Sequence, residues 1–172
     1  MINTSIRRAL VLSSLVLGAT TLFSAKAMAN TSGSVTLNGT VASTLALVIT
    51  TLPEAGALPL NGSTQQIVRV ADLGISTNQS LGYTVTAVTS GNLVRTLGGA
   101  SIAYQVITTA DGVVPGSADF TAATGASHTF ASTAANAANT NGRDLHIMYT
   151  PAALQDPGIY NGTITVSVAD KS

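Results

Sequence analysis

Apolar residues recur at every second position in several short segments, and this period of two predicts β-strands. The clearest strand segments are residues 81–88, 101–108, 144–150 and 162–168, with weaker ones at 65–70 and 127–130. Residues 44–50 are almost uniformly apolar, which predicts a strand buried on both faces. The residues expected to face inward on the clear strands are Leu81, Tyr83, Val85, Ala87, Ile102, Tyr104, Val106, Leu145, Ile147, Tyr149, Ile164, Val166 and Val168.

Turn-forming residues separate these segments. Asn-Gly or Asp-Gly pairs occupy positions 61–62, 111–112 and 141–142, and an Asp-Pro-Gly triplet begins at Asp156. Residues 131–142 are low in complexity and are predicted to form an exposed loop. Because short strands joined by frequent turns dominate and helix patterns are nearly absent, the sequence predicts an all-β protein, a β-sandwich or barrel.

The first 29 residues have the three parts of a secretory signal. Arg7 and Arg8 supply the positive charge, residues 9–23 form an uncharged apolar run, and Ala27 and Ala29 give the small-x-small form that signal peptidase cuts. The apolar run has about 15 residues, whereas a bilayer span needs roughly 20. We therefore expect residues 1–29 to be removed on export. Residues 30–172 then remain as one domain without a further membrane span.

Apolar residues alternate again directly after the predicted cleavage site. Val35, Leu37 and Val41 share one face of an extended segment, and Gly39 leaves a gap in that face. We define residues 30–43 as the arm and expect it to lie as a strand against a sheet. The pattern alone leaves open whether that sheet belongs to the same chain or to another.

Charge and cysteine content narrow the classes of function. After signal removal, four cations remain against seven carboxylates, a net charge of −3. A chain so poor in Lys and Arg cannot neutralise a row of phosphates, so nucleic acid is not expected as a partner. Cysteine is absent, which excludes disulfides, thiolate catalysis and cysteine-based metal sites.

Candidate catalytic residues are few. His128 and His146 are the only histidines, and no metal-ligand spacing surrounds them. His146 is expected on the opposite face of its strand from Leu145 and Ile147, and His128 is expected beside a loop. Because no Gly-x-Ser-x-Gly or phosphate-binding glycine motif occurs, we expect no enzyme, no metal and no cofactor. A hydrolase built on the two histidines and scattered acids is the weakest hypothesis.

Both ends of the expected mature chain resemble a known family. Residues 31–44, TSGSVTLNGTVAST, resemble the N-terminal arm of chaperone–usher pilins of the archaic type, which are related to spore-coat-U-like domains. Residues 156–168, DPGIYNGTITVSV, are similar to the Pro-Gly-x-Tyr turn and final strand of that group. The chain departs from the family pattern in its lack of cysteine and in ending without a penultimate aromatic residue.

The resemblance implies an immunoglobulin-like antiparallel β-sandwich over residues 44–172, missing one strand that a neighbour's arm completes. The implied function is that of a structural subunit of a surface fimbria, built by donor-strand exchange for adhesion or biofilm formation. The implied partners are identical or related pilin subunits, a periplasmic chaperone and an outer-membrane usher. The implied location is the periplasm in transit and then the cell surface. The implied donor-strand residues are Val35, Leu37, Gly39 and Val41, and the implied groove-bordering residues are Ile164, Val166 and Val168.

A self-contained β-sandwich adhesin or envelope-associated binding module is the alternative. In that case residues 34–41 are an edge strand of their own sandwich, and removing them unfolds the domain. Its ligand would be sought at loops such as residues 52–61 and 131–142 or near Tyr104.

Overall fold

The computed structural model describes residues 33–132 and 142–171. The expected signal peptide and most of the predicted loop at 131–142 lie outside the described residues. The compact unit that contains the sheets begins at Thr40, and residues 33–39 belong to a different unit. The domain boundary at residue 44 stays a prediction.

Nine strands occur within the described ranges, and every ladder between them is antiparallel. Two 3₁₀ turns, Pro53–Gly56 and Ser117–Asp119, interrupt the loops. The strands are β1 Leu45–Thr51, β2 Gln66–Thr77, β3 Tyr83–Thr89, β4 Asn92–Arg95, β5 Ser101–Ala110, β6 His128–Ala131, β7 Arg143–Tyr149, β8 Tyr160–Asn161 and β9 Ile164–Asp170.

The strands form two sheets that share one core. The larger has the order β1-β2-β7-β5-β4-β8 and the smaller the order β6-β3-β9. Leu73, Ile75 and Val106 of the larger sheet and Tyr83 and Val85 of the smaller one are buried in a single cluster. Because each sheet contributes one apolar face to this cluster, the predicted all-β, antiparallel β-sandwich is confirmed.

β1 differs from its prediction. The apolar run at 44–50 predicted a strand buried on both faces, and this is wrong. β1 is an edge strand: Leu45 and Leu47 pack inward at half burial, while Val48 on the outer face and Ile49 further along are exposed. An edge strand on the outside of a sandwich has no second layer to cover its outer face, so a continuous apolar run is left partly in solvent.

β2 is twice as long as the predicted segment at 65–70. A β-bulge between Arg69 and Ala71 shifts its register against β7. Val68 lies opposite the inward-facing Ile147 before the bulge, whereas Ala71 and Leu73 take the inward positions after it. The bulge changes the inward positions from even to odd numbers, so the period of two is interrupted where the strand continues.

β7 is buried on both faces. Leu145, Ile147 and Tyr149 face the core, as their alternation predicted. Met148 on the outer face packs with Ile107 and Phe120 in a second cluster, because the chain between β5 and β6 covers this part of the sheet. The short strands β4 and β8 were not predicted from the sequence.

Candidate functional site: an apolar groove between two sheet edges

β1 and β9 are the unpaired edges on the same side of the sandwich. β1 pairs with β2 and β9 pairs with β3, and no other described strand pairs with either of them. The two edges run in opposite directions. Ser43, which precedes β1, bonds to Asp170 at the end of β9, whereas Thr51 at the end of β1 lines a cavity with Ile164 at the start of β9.

The cavity between these edges is apolar. It has a volume of about 230 Å³. An apolar cavity of about 150 Å³ is large enough to hold benzene, so this one has room for at least one branched aliphatic side chain. We call it the groove. Its floor consists of buried core side chains, and its rims consist of Ile49 and Thr51 on β1 and Ile164 and Val166 on β9. The floor residues are Val70, Ala71, Leu93, Tyr104, Leu145 and Ile147.

Tyr104 adds no unsatisfied polar group to the floor. Its hydroxyl donates to the Thr163 carbonyl oxygen at 2.9 Å, and its ring is buried. Beside it, Gly162 lies where a Cβ atom would be 2.9 Å from Leu93 Cδ2 and 3.2 Å from Tyr104 Cε1. The lack of a side chain at Gly162 therefore lets Leu93 and Tyr104 fill the floor, and the exposed surface of the groove remains apolar.

The structure places the expected groove-bordering residues on the inner face of β9. Ile164, Val166 and Val168 are half-buried and pack against the core. Ile164 and Val166 line the groove, whereas Val168 lies nearer to Asp170 and is outside the lining. The sequence did not indicate Leu93 or Gly162, which also line it. Leu58 of the β1–β2 connection lines it too, and it lies in the loop 52–61 where the alternative hypothesis placed a ligand.

The described part of the arm, residues 33–43, forms no strand. Residues 33–44 lie in no ladder, although their alternation predicted one at residues 34–41. Val35, Leu37 and Val41 are 85%, 87% and 87% exposed, and nothing lies within 4 Å of where a Gly39 Cβ would be. This differs from the edge strand expected for a self-contained sandwich, whose apolar face would be buried against its own core.

A second group of polar residues lies on the outer face of the larger sheet. Arg69 contacts the carboxylates of Asp72, Asp111 and Asp144, with Nη2 2.8 Å from the buried Asp144 Oδ1. Asp144 Oδ2 also accepts from the Gly112 N–H at 2.9 Å. Across the described residues, no three His, Cys, Asp or Glu side chains are placed to hold a metal ion. This cluster joins β2, β7 and the turn after β5.

His146 lies beside this cluster, on the opposite face of β7 from Leu145 and Ile147, as predicted. It is buried, and its Nδ1 lies 3.4 Å from Thr109 Oγ1. The Thr109 hydroxyl donates to the Val113 carbonyl oxygen, so the histidine donates to Oγ1 as the neutral Nδ1–H tautomer. Burial lowers the pKa of His146 below its usual 6.5, although Asp144 opposes this shift. Burial and Arg143 lower the pKa of His128 in the same direction.

These two histidines are expected to make the fold less stable in mild acid. A lowered pKa means that the unfolded chain binds more protons than the folded one, so stability is present above pH 6.5 and is lost as the pH falls below it. The loss is expected to reach at most about 1.4 kcal/mol per pH unit for each histidine. Urea unfolding at pH 7.5 and 5.0 measures it, and His146→Asn, which keeps a donor near the position of Nδ1, should flatten the dependence. An unchanged slope in that variant would contradict the assignment to His146.

No helix among the described residues is long and apolar enough to cross a membrane. Comparison of the chain with models of known protein families, with curated proteins and with solved structures finds no match.

Proposed function

We propose that this protein is a structural subunit of a surface fimbria, assembled by donor-strand exchange, in which the arm of one subunit fills the groove of the next. In this proposal the sandwich is immunoglobulin-like and lacks one strand. One observation carries it. An apolar groove opens beside the unpaired edge of β9, while the same chain presents Val35, Leu37 and Val41 in solvent.

The arm and the edge of β9 match in length. Positions 35–41 span six residue steps, as does β9 from Ile164 to Asp170, and each extends over about 20 Å in a strand. An arm placed along β9 would extend the smaller sheet by one strand. Its backbone would pair with the free edge, and every second side chain would point into the groove.

The physical drive is the burial of apolar surface on both partners. Full burial of a Val or Leu side chain contributes about 1.5–3 kcal/mol, and the arm carries three such side chains on one face. The ladder would also satisfy backbone groups that an exposed edge leaves to water. Gly39 falls between Leu37 and Val41, so the arm leaves a gap there that a rim side chain of the acceptor can occupy.

The same features explain the partners in the proposal. A subunit with an empty groove exposes an apolar patch and a strand edge, and both promote aggregation during export. A periplasmic chaperone would cover them until an outer-membrane usher presents the arm of the next subunit. Assembly at the cell surface would then serve adhesion or biofilm formation. The proposal assigns no catalytic residue and no cofactor.

The proposal is tested by binding of a fluorescent peptide with the sequence of residues 30–43 to a chain that begins at residue 44. We expect saturable binding because the peptide supplies the apolar side chains that the groove lacks. Fluorescence anisotropy measures it. A peptide with Leu37→Asp should not bind at the concentrations that saturate the original peptide, since a carboxylate would be buried without a partner.

The matched control is a peptide with Thr36→Asp. It has the same added charge on the opposite face of the strand, where it would point to solvent, and it should bind like the original. If the original peptide does not bind, or if both aspartate peptides bind equally well, the donor-strand proposal fails.

A further inference from the structure

We propose that a polar clamp at the start of β1 commits the arm to a second copy of this chain, because it prevents the arm from folding back into its own groove. The clamp consists of Ala42, Ser43, Thr44, Asn78 and Asp170, with Thr77 and Gln79 as supports. This inference rests on the proposed function, since it assumes that the arm fills a groove.

Asn78 holds residues 42–44 in line with β1. Its backbone N–H donates to the Thr44 carbonyl oxygen at 3.2 Å, which continues the β1–β2 ladder by one step beyond the Leu45 and Thr77 pair. Its side-chain Oδ1 accepts from the Thr44 N–H at 2.8 Å, and its Nδ2 donates to the Ala42 carbonyl oxygen at 2.7 Å. One asparagine therefore fixes the backbone of the arm where it enters the sheet.

Asp170 closes this end of the groove from the other sheet. Its Oδ2 accepts from Ser43 Oγ at 2.9 Å and its Oδ1 from Thr77 Oγ1 at 2.8 Å. Gln79 Nε2 also donates to Ser43 Oγ at 3.2 Å. Ser43 occupies the same face as Leu45 and Leu47, two and four positions further on. Ser43, at the first inward position, is therefore hydrogen-bonded across to β9. A returning arm would have to turn at this place.

A return of the arm into its own groove conflicts with this clamp. Opposite residues of an antiparallel hairpin point to the same face, so Leu37 must lie opposite Ile49 to point into the groove beside it. That register makes residues 42–44 a three-residue loop. A two-residue loop at 42–43 would instead place Leu37 opposite Val48, whose side chain is on the outer face and exposed.

Returns that leave the clamp intact fall short of the groove. A loop that ends at Val41 takes Val35 no further than Ala46, whereas the groove is lined on β1 by Ile49 and Thr51. The Asn-Gly pair at 38–39, a favourable hairpin turn, brings only residues 30–32 beside β1.

Thr44 further disfavours release of the clamp. In a three-residue loop at 42–44 the third residue, Thr44, would adopt a left-handed conformation, which β-branched residues avoid.

Cross-linking tests this in the exported full chain, which has no cysteine of its own. One chain carries Leu37→Cys together with a cysteine at Ile164, Val166 or Val168 in turn, and non-reducing electrophoresis separates the products. Disulfides within a chain run as monomers and disulfides between chains form ladders. We expect ladders, and we expect a mixture of Leu37→Cys chains with Val166→Cys chains to yield cross-linked pairs.

The clamp is then released in the same double-cysteine chain. The change Ala42→Asn, Ser43→Asp and Thr44→Gly replaces it with a favourable hairpin loop, and the carboxylate introduced by Ser43→Asp would repel Asp170. We expect the ratio of ladder to monomeric product to fall by about tenfold, and Asn78→Ala to lower it by a smaller factor in the same direction.

The outcomes separate this inference from the proposed function. Monomeric cross-links in the chain with an intact clamp would overturn the clamp but leave the groove as the site of the arm. Ladders that persist equally in the loop variant and in Asn78→Ala would overturn it as well. The absence of any cross-link to Ile164, Val166 and Val168 would overturn the proposed function itself.

Discussion

A chain in which residues 30–43 are moved from before residue 44 to behind residue 172 is expected to melt about 10 °C above residues 44–172 alone. The moved arm reaches the groove of its own chain from the other terminus, so it fills the groove without the hairpin at residues 42–44 that the clamp opposes. The rearranged chain is also expected to be a monomer, because its groove and its arm satisfy each other.

The size of the effect follows from burial. Val35, Leu37 and Val41 are almost fully exposed in the present structure, and their transfer into the groove contributes about 2 kcal/mol each. Ordering of the seven arm residues 35–41 costs about 1–2 kcal/mol per residue, and the hydrogen bonds of the new ladder offset most of that cost at about 1 kcal/mol each. The remaining gain of about 3 kcal/mol corresponds to roughly 10 °C for a domain of this size.

The linker must allow either direction of the arm. β9 ends at Asp170, at the closed end of the groove, so an arm that runs antiparallel to β9 needs only a short turn. An arm that runs parallel must first cross about 20 Å to the open end. A Gly/Ser linker of about twelve residues has a mean span near 19 Å and serves both cases.

Calorimetry measures the melting temperature, and light scattering measures the mass. Leu37→Asp in the moved arm should abolish the gain, and Thr36→Asp should retain it, so the effect is assigned to one face of the arm. Equal melting temperatures for the chains with and without the moved arm would show that the groove is no acceptor for it.

The strands that were predicted well are those whose register is uninterrupted. Tyr83, Val85 and Ala87 alternate in the sequence and are buried in the core of the structure. β2 was cut short because its bulge lies at Arg69, and a pattern of period two has no means of showing a change of phase. β1 was predicted as an interior strand because its residues are nearly all apolar. Composition alone does not show whether another layer of the structure covers them.

The candidate site was only partly accessible from the sequence for a similar reason. The alternation that singled out Ile164 and Val166 is local, so it was visible in the sequence. The lining of the groove joins Leu93 of a four-residue strand with Gly162 and the loop residue Leu58. These residues meet only after the sheets pack. Leu93 and Leu58 lie in segments without a period of two, and Gly162 begins the alternating segment 162–168 but has no side chain to contribute to the pattern. The clamp of Ser43, Asn78 and Asp170 depends on long-range contacts in the same way.

Replacement of Arg69 by Met is expected to lower the free energy of unfolding. Asp144 is buried, and Arg69 Nη2 at 2.8 Å is the cation in direct contact with its carboxylate. Loss of one partner of a fully buried ion pair costs about 3–5 kcal/mol because the other charge stays buried. The Arg69 side chain is 38% exposed, and solvent therefore screens part of the interaction, which places the expected loss below that range.

Two further variants assign this loss to the uncompensated carboxylate. Asp144→Asn in the Arg69→Met chain removes the buried charge and should recover most of the lost free energy of unfolding, since the amide can still approach the Gly112 N–H through its oxygen. Asp111→Asn removes the exposed carboxylate, whose Oδ1 lies 3.9 Å from Arg69, and should change stability by less than about 0.5 kcal/mol. Urea unfolding at pH 7.5 measures all four chains. If the Asp144→Asn change failed to rescue Arg69→Met, the loss would come from packing of the arginine stem, and the ion pair would carry little of the stability of this face.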